Sequence, residues 1–428
     1  MLKNHPKGLM TLFFTEMWER FGFYTMLAVF TLYMDEVFGW SDAHKGDVYG
    51  IFLAFVYFTP IAGGWIADRL LGYRKTIMLG AVVLGIGYAL LAGSSPERLW
   101  LFYTALTVMV IGNGLFKANI SVLVGNLYEP GSPYKDVGYN IFYMGINLGA
   151  FIAPLAATVL HNLFGNYNSA FAASAVGMAL SLVVFEIWKK NYIHADNKAE
   201  AGAASRELEE AARVSPEEEK ERITALLIIF AIVVFFWMSF HQNGFALTLF
   251  AQRSTEQFQW LKPETYATFN PLFILLLTPA VVSLFNYLRK RGKEPSSPAK
   301  IGLGMFISGL SMIIMVVASL SGGNADANNM SPSWLISTYF VITIGELFLS
   351  PMGLSFVSKV APARMRGLMM GGWFGATAIG NYLSGFIGRY YNTLDHHQFF
   401  GILVILLFLS ALMVRLTLKK LKHASRGA

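Results

Sequence analysis

Residues 9–34 are L-M-T-L-F-F-T-E-M-W-E-R-F-G-F-Y-T-M-L-A-V-F-T-L-Y-M, and they determine what class of protein this is. The stretch is as long as a membrane-spanning helix, which needs about 20 mostly apolar residues, yet it contains Glu16, Glu19 and Arg20. On a helix these side chains lie near one face, because residues three and four positions apart are neighbours. Charges at membrane depth are costly unless they face one another or a water-filled cavity. Two carboxylates meet one guanidinium, so one carboxylate remains to bind a proton, since burial favours its neutral form.

The composition is that of a polytopic membrane protein. Of the 428 residues, 55% are hydrophobic and only 14% are charged, and the 40 glycines suit closely packed membrane helices. Cysteine is absent, which excludes disulfides, thiolate metal sites and a cysteine nucleophile. We see no nucleophile–base constellation, phosphate-binding loop or metal cluster, so we expect neither an enzyme nor a bound cofactor. The net charge of +7 is attributed to basic loops rather than to a nucleic acid partner.

Apolar segments long enough to cross a bilayer occur twelve times along the chain. They predict an all-α polytopic membrane protein with spans at about 9–34, 47–70, 76–94, 98–126, 137–162, 168–188, 223–249, 265–289, 301–320, 333–357, 366–390 and 397–419. One clearly polar stretch, rich in Glu, Lys and Arg, separates six spans from six. We therefore predict an N-terminal six-helix bundle over 1–188, a cytoplasmic linker over 189–222 and a C-terminal six-helix bundle over 223–428. Such halves are usual for transporters with a substrate site at the midplane.

The orientation in the membrane follows from the distribution of Lys and Arg. With both termini inside, the inner segments contain 26 of the 33 basic residues and the outer loops contain five. Basic residues are enriched in cytoplasmic loops, so the sequence predicts a multi-pass protein of the cell membrane with cytoplasmic N- and C-termini.

Two further charges lie in the middle of predicted spans, one in each half. Lys117 is in I-G-N-G-L-F-K-A-N-I-S of span four, and Glu346 is in I-G-E-L-F-L-S-P of span ten. A lone charge at that depth is costly, so we predict a Lys117–Glu346 pair between the two bundles. The alternative is an ordinary inter-helix salt bridge. With the cluster of the first span, three carboxylates against two cations leave one negative charge, which one bound proton would neutralise.

Polar and aromatic residues accompany these charges in the spans. They are Tyr24, Tyr57, Asn147, Trp237, His241, Asn270 and Trp373. Taken singly, an aromatic residue in a span more often packs against neighbours, and an asparagine often bonds another helix. Together with the charges they form a candidate substrate site.

Several motifs resemble known families. G-G-W-I-A-D-R-L-L-G-Y-R-K (63–75) is similar to the loop signature of the major facilitator superfamily, in which Asp68, Arg69, Arg74 and Lys75 would form a cytoplasmic charge clasp. Six further motifs resemble the proton-dependent oligopeptide transporter (POT/PTR) family. They are E-M-W-E-R-F-G-F-Y (16–24), L-F-K-A-N-I-S (115–121), F-Y-M-G-I-N-L-G-A (142–150), F-N-P-L-F-I (269–274), G-E-L-F-L-S-P-M-G-L (345–354) and G-L-M-M-G-G-W-F (367–374). The resemblance covers nearly the whole chain outside the linker and implies the major facilitator fold.

The resemblance also implies a role for each candidate residue. Glu16, Glu19 and Arg20 would couple protons to transport. Arg20 and Lys117 would bind the carboxylate of a peptide. The peptide amino group would be bound by Glu346, Asn147 and Asn270, and the side-chain pockets would be shaped by Tyr24, Tyr57, Trp237 and Trp373. The physical logic is independent of the family, because a zwitterion needs a cationic and an anionic pole.

Two departures from the family pattern concern the outer gate. Where the family usually has an Arg and the Glu of F-E-Q, this chain has Leu27 and His241. In familiar members that pair resembles an outer-gate ion pair, and losing both partners avoids a stranded charge. His241 is either a pH-sensitive element, since histidine titrates near pH 6.5, or a neutral imidazole bonded to another helix. The linker is too short and too charged for the two extra helices of many bacterial members.

These inferences predict a proton-coupled symporter that imports di- and tripeptides by alternating access. Protons are the coupling ion and no other cofactor is expected. The expected partners are a small peptide substrate and the lipid bilayer, with no nucleic acid and with a monomeric chain. The alternatives are a related proton-coupled transporter of another small zwitterion or anion, and a non-transporting sensor on the same fold. Retention of the full charge set favours transport, because a sensor does not need the proton-site carboxylates.

Overall fold

The computed structural model describes residues 5–129, 132, 134–196, 215–362 and 365–424, which are nearly all helical. We number the α-helices in chain order. They are α1 (Lys7–Glu36), α2 (Asp42–Phe58), α3 (Pro60–Ile66), α4 (Tyr73–Ala92), α5 (Leu99–Asn126), α6 (Lys135–Phe164), α7 (Asn168–Ile187), α8 (Pro216–Phe240), α9 (Ala246–Arg253), α10 (Phe269–Lys290), α11 (Ser297–Ser321), α12 (Ser333–Val360), α13 (Arg366–Gly388) and α14 (His396–Ala424). In the described ranges, β-structure is limited to two isolated bridges.

The helices account for the twelve predicted spans. Ten helical segments are long and apolar enough to cross a membrane. The other two predicted spans are α1, which contains the charge cluster, and the glycine-rich α13. The prediction of an all-α polytopic protein is therefore confirmed. The middle of the predicted linker, 197–214, lies outside the described residues.

The chain forms two compact units. Unit 1 contains residues 1–41, 55–200 and 258–271, and unit 2 contains residues 42–54, 201–257 and 272–428. The boundary between the units falls inside α2, after Ala54, so the two ends of that helix belong to different units. The predicted bundle limits, 1–188 and 223–428, stay a prediction.

The second span is interrupted near its middle. α2 ends at Phe58, and α3 begins at Pro60 and continues into a π-helical turn, Ala67–Leu71. Proline breaks a helix because it has no backbone N–H and its ring presses on the carbonyl four residues earlier. The next turn, at Gly72, has a φ of 83°, a backbone conformation that glycine adopts readily.

Helix α8 begins at Pro216, inside the predicted linker 189–222. The Ser215 hydroxyl accepts a hydrogen bond from the Glu218 backbone N–H at 3.2 Å. Pro216 occupies the first helical position, where its missing N–H costs nothing. Three acidic residues in the first turn, Glu217, Glu218 and Glu219, interact favourably with the positive end of the helix dipole.

Small residues in unit 1 let two helices approach the charged part of α1. A Cβ atom on Gly149 of α6 would lie 3.2 Å from the Cβ of Arg20. On the α7 side, a Cβ on Gly22 of α1 would lie 2.9 Å from the Ser174 carbonyl oxygen. Glycine at these contacts allows backbones to pack closely, as is common between membrane helices. The result is a charge cluster enclosed on two sides.

Candidate functional site

The three charged residues of α1 form a buried cluster in unit 1. Glu16, Glu19 and Arg20 are 3%, 0% and 3% exposed. The Arg20 guanidinium makes two hydrogen bonds to Glu19, one from Nε to Oε2 and one from Nη2 to Oε1 at 2.7 Å. Its Nε also lies 3.3 Å from Glu16 Oε1, and its guanidinium carbon lies 5.2 Å from the centre of the Phe23 ring. Arg20 is therefore held mainly by Glu19.

Glu16 is the carboxylate with the weaker hold on the cation. Its Oε2 atom is buried and has no hydrogen-bond partner among the described residues. The spacing of the sequence left open which glutamate pairs with Arg20. The structure gives the bidentate contact to the adjacent Glu19, and the glutamate four residues away has one longer contact. An ionised carboxylate without a full set of donors is costly when buried.

Lys117 on α5 lies close to this cluster, inside the same unit. Its side chain is half-buried and interacts electrostatically with Arg20, Glu19 and Glu16. The Nζ atom lies 3.9 Å from the centre of the Tyr57 ring of α2, a cation–π contact. The structure thus brings together five of the predicted residues in unit 1. A surface with Arg20 and Lys117 near one another attracts a carboxylate.

The other predicted residues of unit 1 have local partners. Asn147 on α6 is 4% exposed and donates from Nδ2 to the Tyr143 carbonyl oxygen at 3.0 Å. Tyr24 is half-buried and packs edge-on against Phe23, with ring centres 5.4 Å apart. Asn270 is half-buried in the first turn of α10. The predicted contacts of these residues with a substrate stay a prediction.

In unit 2, Trp237 of α8 and His241, which directly follows that helix, lie next to each other. The rings of Trp237 and His241 are stacked with centres 5.8 Å apart. The backbone carbonyl of His241 accepts a hydrogen bond from the Tyr49 hydroxyl at 3.1 Å. Trp373 on α13 is 2% exposed, and Glu346 on α12 is 9% exposed. Lys117 and Glu346 belong to different units, and their pairing stays a prediction.

The loop motif between α3 and α4 makes polar contacts through Asp68 and Arg74. Asp68 accepts a hydrogen bond from the Tyr73 hydroxyl at 2.6 Å. Arg74 forms an ion pair with Glu186 of α7, with Nη2 and Oε2 2.5 Å apart. Arg69 and Lys75 are exposed. Arg74 therefore pairs with a glutamate on α7 that the motif did not indicate, and the charge clasp of the four residues stays a prediction.

Two asparagines on α5 were missed by the sequence reasoning. Asn113 donates from Nδ2 to the Val56 carbonyl oxygen at 2.7 Å, and Asn119 donates to the Gly63 carbonyl oxygen at 3.0 Å. Asn113 precedes Lys117 by four residues, so the two share a helix face. That spacing, with Pro60 in the second span, was the available signal.

The arrangement can act by binding. Its cations attract a carboxylate, its carboxylates attract an ammonium group, and Glu16 can take up a proton. Across the described part of the chain, no group of three or more His, Asp or Glu is arranged to hold a metal ion.

The comparisons with known proteins agree with one another. A sequence model of the POT family matches residues 74–208 and 200–399. The dipeptide and tripeptide permease A of Escherichia coli (strain K12) is 31% identical, over 92% of this chain and 86% of its own length. A di-/tripeptide transporter of Lactococcus lactis subsp. lactis is 31% identical, over 98% of this chain and 97% of its own length. The uncharacterized transporter YclF of Bacillus subtilis, also 31% identical, covers 99% of this chain.

Solved structures match the whole fold. A crystal structure of a peptide transporter POT in complex with sulfate has a TM-score of 0.88 and 29% identity, and it covers 100% of this chain and 97% of that chain. A POT family transporter in complex with 5-aminolevulinic acid has a TM-score of 0.87 and 27% identity, with 98% of both chains covered. The predicted twelve-helix major facilitator fold is thereby confirmed. The chain is a member of the POT family of membrane transporters.

Proposed function

We propose that this protein is a proton-coupled symporter that imports di- and tripeptides by alternating access. Relatives named as di- and tripeptide permeases support the substrate class, since they match nearly the full length of the chain. The observation that carries the proposal is the cluster on α1, in which Glu19 engages Arg20 with two hydrogen bonds while Glu16 Oε2 has no partner among the described residues.

The peptide is bound by its two charged ends. Arg20 and Lys117 attract the terminal carboxylate, because both are cations and they lie within electrostatic reach of each other. Glu346, with Asn147 and Asn270, attracts the terminal ammonium group. A zwitterionic ligand needs a cationic and an anionic pole, so loss of either pole should weaken its binding.

The coupling proton binds to Glu16. With Glu19 paired to Arg20, protonation of Glu16 removes a negative charge near the peptide carboxylate. A substrate carboxylate is repelled by an ionised Glu16 and tolerated beside a neutral one. Protonation therefore favours substrate binding, and release of the proton favours substrate release. No other cofactor takes part.

The protein works as a monomer in the cell membrane with both termini in the cytoplasm. The support for this orientation is the distribution of basic residues, 26 in the inner segments against five in the outer loops. Trypsin added to sealed right-side-out vesicles should leave the linker 189–222 intact, and cleavage there from outside would contradict the orientation.

The central experiment measures uptake of a labelled dipeptide into proteoliposomes. We expect accumulation with an inward proton gradient and none when an uncoupler dissipates it. Accumulation that is independent of the gradient would contradict proton coupling. Binding without any uptake would favour the sensor.

A second candidate substrate is another small zwitterion. It is favoured by Leu27 and His241, which replace the family's outer-gate pair, and by a matched transporter solved with 5-aminolevulinic acid. Competition by 5-aminolevulinic acid against dipeptide uptake tests it. Stronger competition than that of an unlabelled dipeptide would make the zwitterion the main substrate.

A further inference from the structure

The break between α2 and α3 leaves one backbone carbonyl without its usual partner. In a continuous helix the Val56 carbonyl would accept from the N–H of residue 60. That residue is Pro60, which has no N–H. The backbone at Thr59 is otherwise helical, with φ of −62° and ψ of −25°, so the missing donor is the local fault.

Asn113 of α5 supplies the missing donor. Its Nδ2 atom lies 2.7 Å from the Val56 carbonyl oxygen, and the residue is 1% exposed. Its Oδ1 atom has no hydrogen-bond partner among the described residues, so the side chain is used here as a donor. α5 can approach this closely because a Cβ on Gly114 would lie only 2.7 Å from the Thr59 Cβ.

This bond joins the two helix segments that carry Tyr57 and Lys117 of the candidate site. Val56 directly precedes Tyr57, whose ring contacts the Lys117 ammonium at 3.9 Å. Asn113 lies one helical turn before Lys117 on the same face of α5. The asparagine therefore fixes the backbone beside Tyr57 to the helix segment that carries Lys117.

We propose that Asn113 is a positioning residue for substrate binding, which sets the contact between Tyr57 and Lys117 by replacing the backbone donor that Pro60 removes. The inference rests on the proposed function, since it assigns Lys117 to the peptide carboxylate. Asn113 touches neither substrate nor proton in this scheme. It acts on the geometry of the pair that does.

Asn119 is a useful contrast on the same helix. It also donates to a backbone carbonyl, that of Gly63, at 3.0 Å. The Gly63 carbonyl additionally accepts from the Ala67 backbone N–H, so it keeps a partner without Asn119. Loss of Asn119 should thus have a smaller effect than loss of Asn113, although both are buried asparagines of α5.

The test compares Asn113→Leu, Pro60→Ala and the double variant Pro60→Ala/Asn113→Leu in proteoliposome uptake. For Asn113→Leu we expect the KM for a dipeptide with a free carboxylate to rise about tenfold, because a buried carbonyl without a donor makes its surroundings rearrange. We expect Vmax per folded protein to stay within about twofold, and weak inhibition by a carboxyl-amidated dipeptide to be unchanged. Pro60→Ala alone should resemble the wild type. In the double variant the N–H of residue 60 should bond the Val56 carbonyl, and the KM should return to within about threefold of the wild type.

Two further variants keep the test decisive. Asn113→Ala is the milder variant to use if Asn113→Leu does not fold. It leaves room for a water molecule as donor, and it should raise the KM about threefold. In a Tyr57→Leu background, Asn113→Leu should change the KM no further, since it acts through Tyr57.

The outcomes separate this inference from the proposed function. No dipeptide uptake by the wild type would overturn both. Normal wild-type uptake with an unchanged KM in Asn113→Leu would overturn only the positioning role, as would a double variant no better than Asn113→Leu. A fall in Vmax and folded yield at constant KM would show that Asn113 serves stability alone.

Discussion

Exchanging each α1 glutamate for glutamine should separate the residue that holds Arg20 from the residue that binds the proton. In the wild type the Arg20 guanidinium donates two hydrogen bonds to Glu19, one of them 2.7 Å long. Glu19→Gln removes one of the two buried carboxylates beside Arg20, and the amide offers a single acceptor oxygen. Breaking a buried ion pair from one side typically costs about 3–5 kcal/mol. Arg20 Nε already lies 3.3 Å from Glu16 Oε1, so a shift toward Glu16 offsets part of that cost. We expect a net loss of about 2–4 kcal/mol in the free energy of unfolding.

Glu16→Gln should have the opposite profile. Glu16 has only the longer contact to Arg20, and its Oε2 has no partner within the described ranges. The neutral amide imitates a permanently protonated carboxyl group, and it removes a buried charge, so the free energy of unfolding should change by less than about 1 kcal/mol. Gradient-driven uptake should be abolished while counterflow exchange of dipeptide persists, because exchange needs no net proton movement. Glu19→Gln should lose both activities, since Arg20 is then displaced.

The assays are thermal unfolding of purified protein in detergent, followed by tryptophan fluorescence, and paired gradient-driven and counterflow uptake in proteoliposomes. Glu129→Gln, an exposed exchange of the same kind, is the matched control and should behave as wild type. Retention of gradient-driven uptake by Glu16→Gln would refute the assignment of the proton to Glu16. A Glu19→Gln protein as stable as Glu16→Gln would refute the role of Glu19 in holding Arg20, because the bidentate pair would then contribute nothing to stability.

The remaining predictions concern the poles of the substrate site, the residue that follows α8 and one loop. Lys117→Ala should weaken dipeptide binding at least tenfold but leave the binding of a carboxyl-amidated analogue unchanged. Glu346→Ala should also weaken dipeptide binding but leave the binding of an N-acetylated analogue unchanged. Unchanged dipeptide affinities in binding titrations would contradict the two-pole scheme. His241→Gln should alter the shape of the pH profile of uptake if His241 titrates in the cycle, whereas an identical profile would leave it a structural role. Hydrogen bonds from Arg289 and, to a smaller extent, from Lys300 lower the pKa of Glu294 to about 2. Because this pKa is depressed, the stabilisation is present above about pH 4.5 and lost as pH falls toward 2, so the Tm difference between wild type and Glu294→Gln should shrink over that window.

The helices were predictable because each span needs a long apolar run, and such runs are hard to mistake. The predicted limits of the first span, 9–34, are close to α1 at Lys7–Glu36. The interruption of the second span was harder to foresee. The sequence places Pro60 inside an apolar run, but proline in a membrane helix is tolerated when a neighbour satisfies the freed carbonyl. That neighbour, Asn113, lies more than fifty residues away along the chain, and only the fold brings it to Val56.

The charge cluster was predictable in its membership but not in its pairing. Helical spacing places Glu16, Glu19 and Arg20 near one face, which left open the glutamate that pairs with Arg20. The structure gives the two hydrogen bonds to Glu19, the adjacent residue. Long side chains reach their neighbours from many angles, and α6 packs closely beside Arg20 at Gly149. A linear motif contains no information about that packing.

Two buried polar groups near the site differ in their hydrogen bonding. The Val56 carbonyl has no backbone donor at Pro60 but accepts a hydrogen bond from Asn113, so it is satisfied and its position is fixed. Glu16 Oε2 has no such compensation from the described residues. Buried polar networks that are fully satisfied become rigid, whereas partly satisfied ones gain energy from any new partner. A proton is such a partner for a carboxylate, and it can leave again when the surroundings change. In the proposed scheme the completed hydrogen bond serves geometry and the incomplete one serves coupling, and a cycle of binding and release needs both.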